Sequence, residues 1–372
     1  MAYNRENPLT ARLAFRKKVS RDGSDKDVFS IGLDTGGKLN YAPGDWLAVL
    51  PKNSDESVCR FLKFLNQKTM KISGVPVREI VQKYVCVSEV PGKLGMWMLE
   101  NNVREDMRGS LEAWIAGDFK KVVKKYDVCD FLEKFLDHPP KPKEILPRLR
   151  KLHPRLYSIA SSTLKDPNIV ELLIASAYRE RIGGRVSPGV ASSWLNEHLP
   201  IGDPIDVFSI TTPFKLSKDL DNDILCIGPG VGLAPFLGFF QHRKFFKKRG
   251  SSLGRCWLFF GNRHRASDFL FEEDLNHYQN IGVLDRMDLA FSRDQPEKIY
   301  VQDRILEHGE EIWQWIHGGA SIYVCGSATP MAIDVEAALR KVVEIHGNFS
   351  EEDAKKYISN MYKNRHYFRD IY

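Results

Sequence analysis

The chain has 372 residues, long enough for two domains that each bury a core, with 43% hydrophobic and 27% charged residues. Its net charge is only +6, and its lysines and arginines are scattered rather than gathered into a stripe, which argues against a nucleic-acid partner. The six cysteines (Cys59, Cys86, Cys129, Cys226, Cys256 and Cys325) include no C-x-x-C pair, which argues against a zinc ribbon, an iron–sulfur site or a disulfide framework, and no metal is expected.

The N-terminus, residues 1–18, is polar and basic without an apolar core, so a secretory signal is not expected and the chain is expected to be cytoplasmic. Val28 to Leu33 alternates as a strand, and Tyr41-Ala42-Pro43-Gly44-Asp45-Trp46 reads as a turn into Leu47-Ala48-Val49-Leu50. Asn53-Ser54-Asp55-Glu56 resembles a capping box with Asn53 as the cap. A mostly helical pattern then runs to about residue 150, past the stiff linker His138-Pro139-Pro140-Lys141-Pro142-Lys143. Strand character returns at Arg155 and at Leu172–Ala175. A short helix is expected from Ala191, and Ile201 to Val207 gives a turn and a strand.

From Asp223 strands and helices alternate. Candidate strands are 224–227, 256–260, 287–291 and 322–325, and candidate helices are 301–316 and 329–345, the last starting on Thr329 with Pro330 at its first position. The uncharged stretch 224–240 is interrupted by Pro229, Pro235 and a glycine turn, so it reads as strand, turn and helix rather than a membrane span. The expected fold is an antiparallel barrel, residues 1–54 and 151–219, with a mostly helical insertion at 55–150. A doubly wound parallel-sheet α/β domain at 220–372 follows.

Two motifs point to dinucleotides. Arg155-Leu156-Tyr157-Ser158-Ile159-Ala160-Ser161-Ser162 offers, on one strand, a cation, an aromatic face and hydroxyls. These suit a flavin dinucleotide: arginine for the pyrophosphate, Tyr157 to cover the ring, Ser158 to reach flavin N5. Gly189-Val190-Ala191-Ser192, before a helix, adds backbone N–H groups for the same pyrophosphate. Gly228-Pro229-Gly230-Val231-Gly232 lies between a buried strand and a helix, where glycines let a backbone approach a second pyrophosphate.

Ser292, Arg293, Lys298 and Tyr300 follow a strand's carboxyl end, and Arg263 follows the preceding strand. A hydroxyl, cations and an aromatic ring suit a ribose 2′-phosphate and adenine better than the carboxylate of an NAD site. Cys325 ends the last expected strand, where core packing and a place facing nicotinamide are both open readings. The tail Arg369-Asp370-Ile371-Tyr372 is either frayed or laid on the flavin. The basic run Arg243 to Arg249 reads as a solvated helix end.

These motifs occur together in one order: Arg-x-Tyr-Ser-Ile-Ala-Ser-Ser, Gly-Val-Ala-Ser-Ser-Trp-Leu, Gly-Pro-Gly-x-Gly-x-Ala-Pro-Phe, Phe-Ser-Arg-Asp-Gln-x-x-Lys-x-Tyr-Val-Gln and Tyr-Val-Cys-Gly. In this the chain resembles the ferredoxin–NADP reductase-like half of the diflavin reductases, the group that includes cytochrome P450 reductase. Trp257-Leu258-Phe259-Phe260-Gly261-Asn262 and the ending Arg369-Asp370-Ile371-Tyr372 are most similar to the flavoprotein (alpha) components of NADPH-sulfite reductases. The resemblance implies FAD on Arg155, Tyr157, Ser158 and Gly189–Ser192, and NADPH on Ser292, Arg293, Lys298 and Tyr300. It implies hydride transfer around Ser158, Cys325 and Asp370, with Tyr372 covering the flavin. Val231 stands where the family usually has threonine.

The sequence begins at the reductase half, without a flavodoxin-like FMN domain. The electron acceptor is therefore expected to be a separate protein, either a siroheme sulfite reductase subunit or an FMN flavodoxin-like protein. A reductase for a flavodoxin, ferredoxin or P450-type acceptor is the alternative. A non-catalytic flavin sensor is a third reading, and Ser158, Cys325 and Asp370 argue against it.

Overall fold

The computed structural model describes residues 3–67 and 69–372. The chain divides into two compact units: Met1–Ala48, Leu156–Ala175 and Pro200–Tyr372 form one, Val49–Arg155 with Ser176–Leu199 the other.

Strands β1 (Leu9–Lys18), β2 (Val28–Asp34), β3 (Trp46–Val49), β4 (Arg155–Ser158), β5 (Ile169–Ala175) and β6 (Pro204–Ile210) form a six-stranded sheet in the order β4-β3-β6-β1-β2-β5. The pairings of β1 with β6, β1 with β2 and β2 with β5 are antiparallel, with Leu9 opposite Val207 and Leu33 opposite Val170. Alternate residues Leu9, Ala11 and Leu13 point inward, as a half-buried strand requires. The two edge strands meet through an isolated bridge between Ile159 and Leu172, so the sheet curls shut as the expected barrel.

The second unit is mainly helical: α1 (Asp55–Phe64), α2 (Val77–Lys83), α3 (Gly92–Asn101), α4 (Glu105–Ala116) and α5 (Val128–Phe135) pack around Phe61, Leu94, Leu111, Phe131 and Phe135. Its segment 176–199 is tied in by Arg181, which is 2% exposed. That guanidinium donates to Ser187 Oγ at 2.7 Å, the Ser88 carbonyl at 2.9 Å and the Tyr126 carbonyl at 3.0 Å. A buried cation is tolerated here because its donors are met by acceptors. Asn53 does not cap α1. Ser54 does, accepting the Ser57 N–H, while the buried Asn53 amide donates to the Val81 and Val85 carbonyls at 2.7 Å each.

In the first unit, β7 (Ile224–Ile227), β8 (Cys256–Asn262), β9 (Arg286–Phe291), β10 (Ser321–Gly326) and β11 (Tyr367–Ile371) make a parallel sheet in the order β9-β8-β7-β10-β11. Helices α6 (Ala234–Lys247), α7 (Glu272–Asn280), α8 (Val301–Glu307), α9 (Gly309–His317), α10 (Met331–His346) and α11 (Glu351–Lys363) complete it. Successive residues of one strand feed different cores. Ile224 and Cys226 join the core containing Phe236 and Phe240, whereas Leu225 and Ile227 join that containing Trp315 and Leu339. Both faces are therefore covered, as in a doubly wound sheet. Barrel residues Val28, Ala160, Leu173 and Phe214 share the first of these cores.

Several local expectations change. The helix expected over 301–316 breaks at His308 into α8 and α9. Pro330 precedes α10 as its cap rather than opening it, and the Thr329–Pro330 peptide is cis. Arg243 is not solvated: it is 1% exposed and donates to the carbonyls of Gly254 and Val283. The tail is not frayed, because residues 367–371 are the fifth strand of the parallel sheet.

Candidate active site

Three strands bring one constellation together. The parallel register of β10 and β11 sets Cys325 beside Asp370. Ser158 ends the barrel's edge strand β4, and Trp46 begins its neighbour β3. The Asp370 carboxylate accepts the Ser158 hydroxyl at 2.6 Å through Oδ2 and the Trp46 indole N–H at 2.9 Å through Oδ1. The Cys325 thiol lies 3.7 Å from Oδ2 and donates more weakly.

Asp370 is 3% exposed. Burial raises its carboxyl above the usual range, while the hydrogen bonds from Ser158, Trp46 and Cys325 pull it back. Burial, reinforced by the nearby Asp370 charge, keeps the Cys325 thiol protonated well above its ordinary value. The site thus holds one carboxylate, one hydroxyl and one neutral thiol within hydrogen-bonding reach.

The raised Asp370 value has a measurable consequence. Folding favours the protonated carboxyl, so the stability that Asp370 contributes is complete below about 3.9, the free aspartate value, and is lost as pH rises through the folded value. Asparagine can keep both hydrogen bonds and cannot ionise. Asp370→Asn should therefore gain thermal stability relative to the parent chain as pH rises through that window, then hold the gain up to neutrality. Melting temperatures of both chains, followed from acid to neutral pH at matched flavin content, check this; a difference independent of pH would contradict it.

The glycine turn packs against the same strand end. A Cβ on Gly232 would lie 2.1 Å from the Cys325 carbonyl oxygen, and Gly230 has φ of +58°, so glycine is required at both. A short 3₁₀ turn, Gly230–Leu233, leads into α6 at the carboxyl end of β7, the usual ligand side of such a sheet. Tyr372 follows β11; the residue as a whole is exposed, while burial and the nearby Cys325 and Asp370 push its phenol above the ordinary value. Its backbone is pinned on both sides, the N–H to the Gly326 carbonyl and the carbonyl to the Ala328 N–H.

A second cluster forms where the loops after β8 and β9 zip together, the Ser292 and Arg293 N–H groups each donating at 2.9 Å to the Asn262 and Arg263 carbonyls. This sets Arg263 beside Arg293. Both guanidiniums reach one oxygen, Asp25 Oδ2, at 2.8 and 2.6 Å. Ser292 is buried, whereas Lys298 and Tyr300 are exposed, Tyr300 just before α8 with its N–H on Asp303.

On β4, Tyr157 is partly exposed. The hydroxyls beyond Ser158 are not offered to a ligand: Ser161 is bonded to Tyr41 and the Glu171 N–H, and Ser162 to the Leu164 N–H. Arg155 opens β4 and, like Gly189, Val190, Ala191 and Ser192, belongs to the helical unit. There Gly189 turns the chain tightly, since a Cβ would lie 2.6 Å from Ser192 Oγ and 3.1 Å from the Ala177 carbonyl.

These residues fit a flavin and a phosphorylated nicotinamide dinucleotide. Both glycine turns are tight enough that a Cβ would strike the chain itself, and a pair of guanidiniums already holds an anionic oxygen. The sequence motifs did not reveal Trp46 or Asp25. The only local signal for Trp46 was the turn Tyr41–Asp45 that aims it; Asp25 carried none. Among the described residues no group of His, Cys, Asp and Glu is placed to hold a metal ion, and no helix is long and apolar enough to cross a membrane.

Known families match both halves. Residues 2–89 match the FAD binding domain and residues 226–337 the oxidoreductase NAD-binding domain. The chain is similar over its whole length to sulfite reductase (NADPH) flavoprotein alpha-components. It is 37% identical to that of Baumannia cicadellinicola subsp. Homalodisca coagulata and 34% identical to that of Bacillus subtilis (strain 168), covering 62% of each. It is 36% identical to that of Aliivibrio fischeri, covering 61%. The chain thus spans about three fifths of the length of these curated relatives. The closed antiparallel barrel and the doubly wound parallel sheet, with the two domain matches, give the chain the ferredoxin–NADP reductase-like fold, an FAD-binding domain followed by an NAD-binding domain.

Proposed function

We propose that the chain is an NADPH-dependent flavoprotein reductase that passes electrons to a separate acceptor protein, as the flavoprotein part of an assimilatory sulfite reductase. The observation that carries the reading is the convergence of Ser158, Trp46 and Cys325 on a buried Asp370. A chain that merely bound a flavin would not need a carboxylate held ionisable at the cost of burial. The bound pair of dinucleotides would supply hydride transfer between nicotinamide C4 and flavin N5.

The chain's own part is positioning and proton control. Asp370 orients the Ser158 hydroxyl through Oδ2 while Trp46 fixes the other carboxylate oxygen. Cys325, neutral and fully buried, adds no charge where the nicotinamide would lie. Arg155 and the backbone at Gly189, Val190, Ala191 and Ser192 would hold the FAD pyrophosphate, with Tyr157 on the ring. Gly228, Gly230 and Gly232 would admit the NADPH pyrophosphate. Arg263, Ser292, Arg293 and Lys298 would take the 2′-phosphate, and Tyr300 the adenine. Tyr372, exposed on a pinned backbone, can swing aside as a cover without disturbing β11.

In this reading residues 1–54 and 151–219 serve FAD, residues 220–372 serve NADPH and residues 55–150 connect them. The acceptor would be a siroheme sulfite reductase subunit, reached directly or through an FMN flavodoxin-like protein. The test is NADPH oxidation by the FAD-loaded chain with ferricyanide, then with sulfite and a siroheme sulfite reductase subunit, with and without an FMN flavodoxin. Ferricyanide turnover with sulfide formation supports the reading. Ferricyanide turnover without sulfide in either mixture moves the acceptor to a flavodoxin, ferredoxin or P450-type protein.

A further inference from the structure

The loop joining β1 to β2 reaches across to the parallel-sheet half of its unit and is anchored there by several contacts. The Arg21 N–H donates to the Ser267 carbonyl at 2.8 Å, the Arg21 guanidinium pairs with Glu272 at 2.8 Å, and Ser24 Oγ bonds Asp268 at 2.5 Å. So held, the loop delivers Asp25 to the point where Arg263 and Arg293 converge, and one carboxylate oxygen serves both guanidiniums. Another carboxylate in the loop after β9, Asp294, is engaged by His264 and the Arg265 N–H. Asp25 therefore holds the position that a phosphate oxygen would take on these cations.

We infer that Asp25 is a specificity-determining residue: a built-in anion that occupies the 2′-phosphate contacts until a phosphorylated nucleotide displaces it. The inference rests on the reading of Arg263 and Arg293 as the 2′-phosphate contacts. A phosphate monoester brings nearly two negative charges and three acceptor oxygens, so it outcompetes one carboxylate for a pair of guanidiniums. A nucleotide without that phosphate leaves Asp25 in place. The Asp25, Arg263 and Arg293 side chains are 46%, 30% and 46% exposed, so the ion pairs are weak enough to exchange. Asp25 thus sets the threshold for phosphorylated nucleotides, opposing the 2′-phosphate while leaving its contacts on the arginines.

The test is calorimetric titration of the FAD-loaded chain with 2′,5′-ADP and with 5′-AMP, for the parent chain, Asp25→Asn and Asp25→Ala. Both variants should bind 2′,5′-ADP about two- to fivefold more tightly, the size of a half-exposed ion pair. Binding of 5′-AMP should not change. Unchanged or weakened binding of 2′,5′-ADP in both variants overturns the role of Asp25. A parent chain that binds 2′,5′-ADP no better than 5′-AMP instead overturns the phosphate reading of Arg263 and Arg293, so the two failures are told apart.

Discussion

Ser158→Ala should slow reduction of the bound flavin by NADPH by roughly ten- to a hundredfold, at or below the lower bound of what one positioned hydrogen-bonding group supplies. FAD content should stay at the parent level, because the substitution removes a single oxygen and leaves β4 and its pairing intact. The size follows from the coupling within the site: the Ser158 hydroxyl is 2.6 Å from a buried carboxylate that also serves Trp46 and Cys325. Groups sharing one network do not lose their effects independently. Adding Asp370→Asn to Ser158→Ala should therefore cost less than the product of the two single losses. Rapid-mixing absorbance of the four chains under nitrogen decides it. A parent-like rate in Ser158→Ala, or strictly multiplicative losses, would remove the serine from this account.

Arg293→Ala should weaken NADPH binding about ten- to a hundredfold, the range for a hydrogen bond to a charged group. NADH binding should change less than about twofold, since it has no group to meet that guanidinium. The lysine variant should recover part of the loss, as a point charge without the planar fork. Equal losses for NADPH and NADH would place Arg293 in general folding or in another part of the nucleotide site. Asp25 adds a contrast in sign: loss of its charge should help the ligand that loss of Arg293 hurts.

What the sequence revealed was what short-range chemistry controls. Glycine turns at 228–232, buried four-residue strands and the Arg155–Ser158 edge strand are each set by neighbours within a few positions, and the parallel sheet forms where the alternation of strand and helix predicts it. The cap of α1 slipped by one residue because Asn53 and Ser54 are both good caps, and only tertiary packing decides that Asn53 spends its amide on Val81 and Val85. Arg243 looked solvated for the same reason: its carbonyl partners come from distant loops.

The site shows the limit most clearly. Ser158, Cys325 and Asp370 were legible through family likeness, but Trp46 meets Asp370 across 324 positions and Asp25 meets Arg293 across 268. Neither pairing leaves a periodic or local trace. The tail was ambiguous because four residues at a terminus fray unless a neighbouring strand holds them, and that neighbour, β10, lies more than forty positions earlier.

The measurement that reaches the central claim most directly is anaerobic mixing of the FAD-loaded chain with NADPH or NADH while following the flavin absorbance. Rapid bleaching is expected with NADPH and much slower bleaching with NADH at equal concentration. A bound flavin that neither nucleotide reduces would contradict the claim and leave the chain a flavin-binding protein without reductase chemistry.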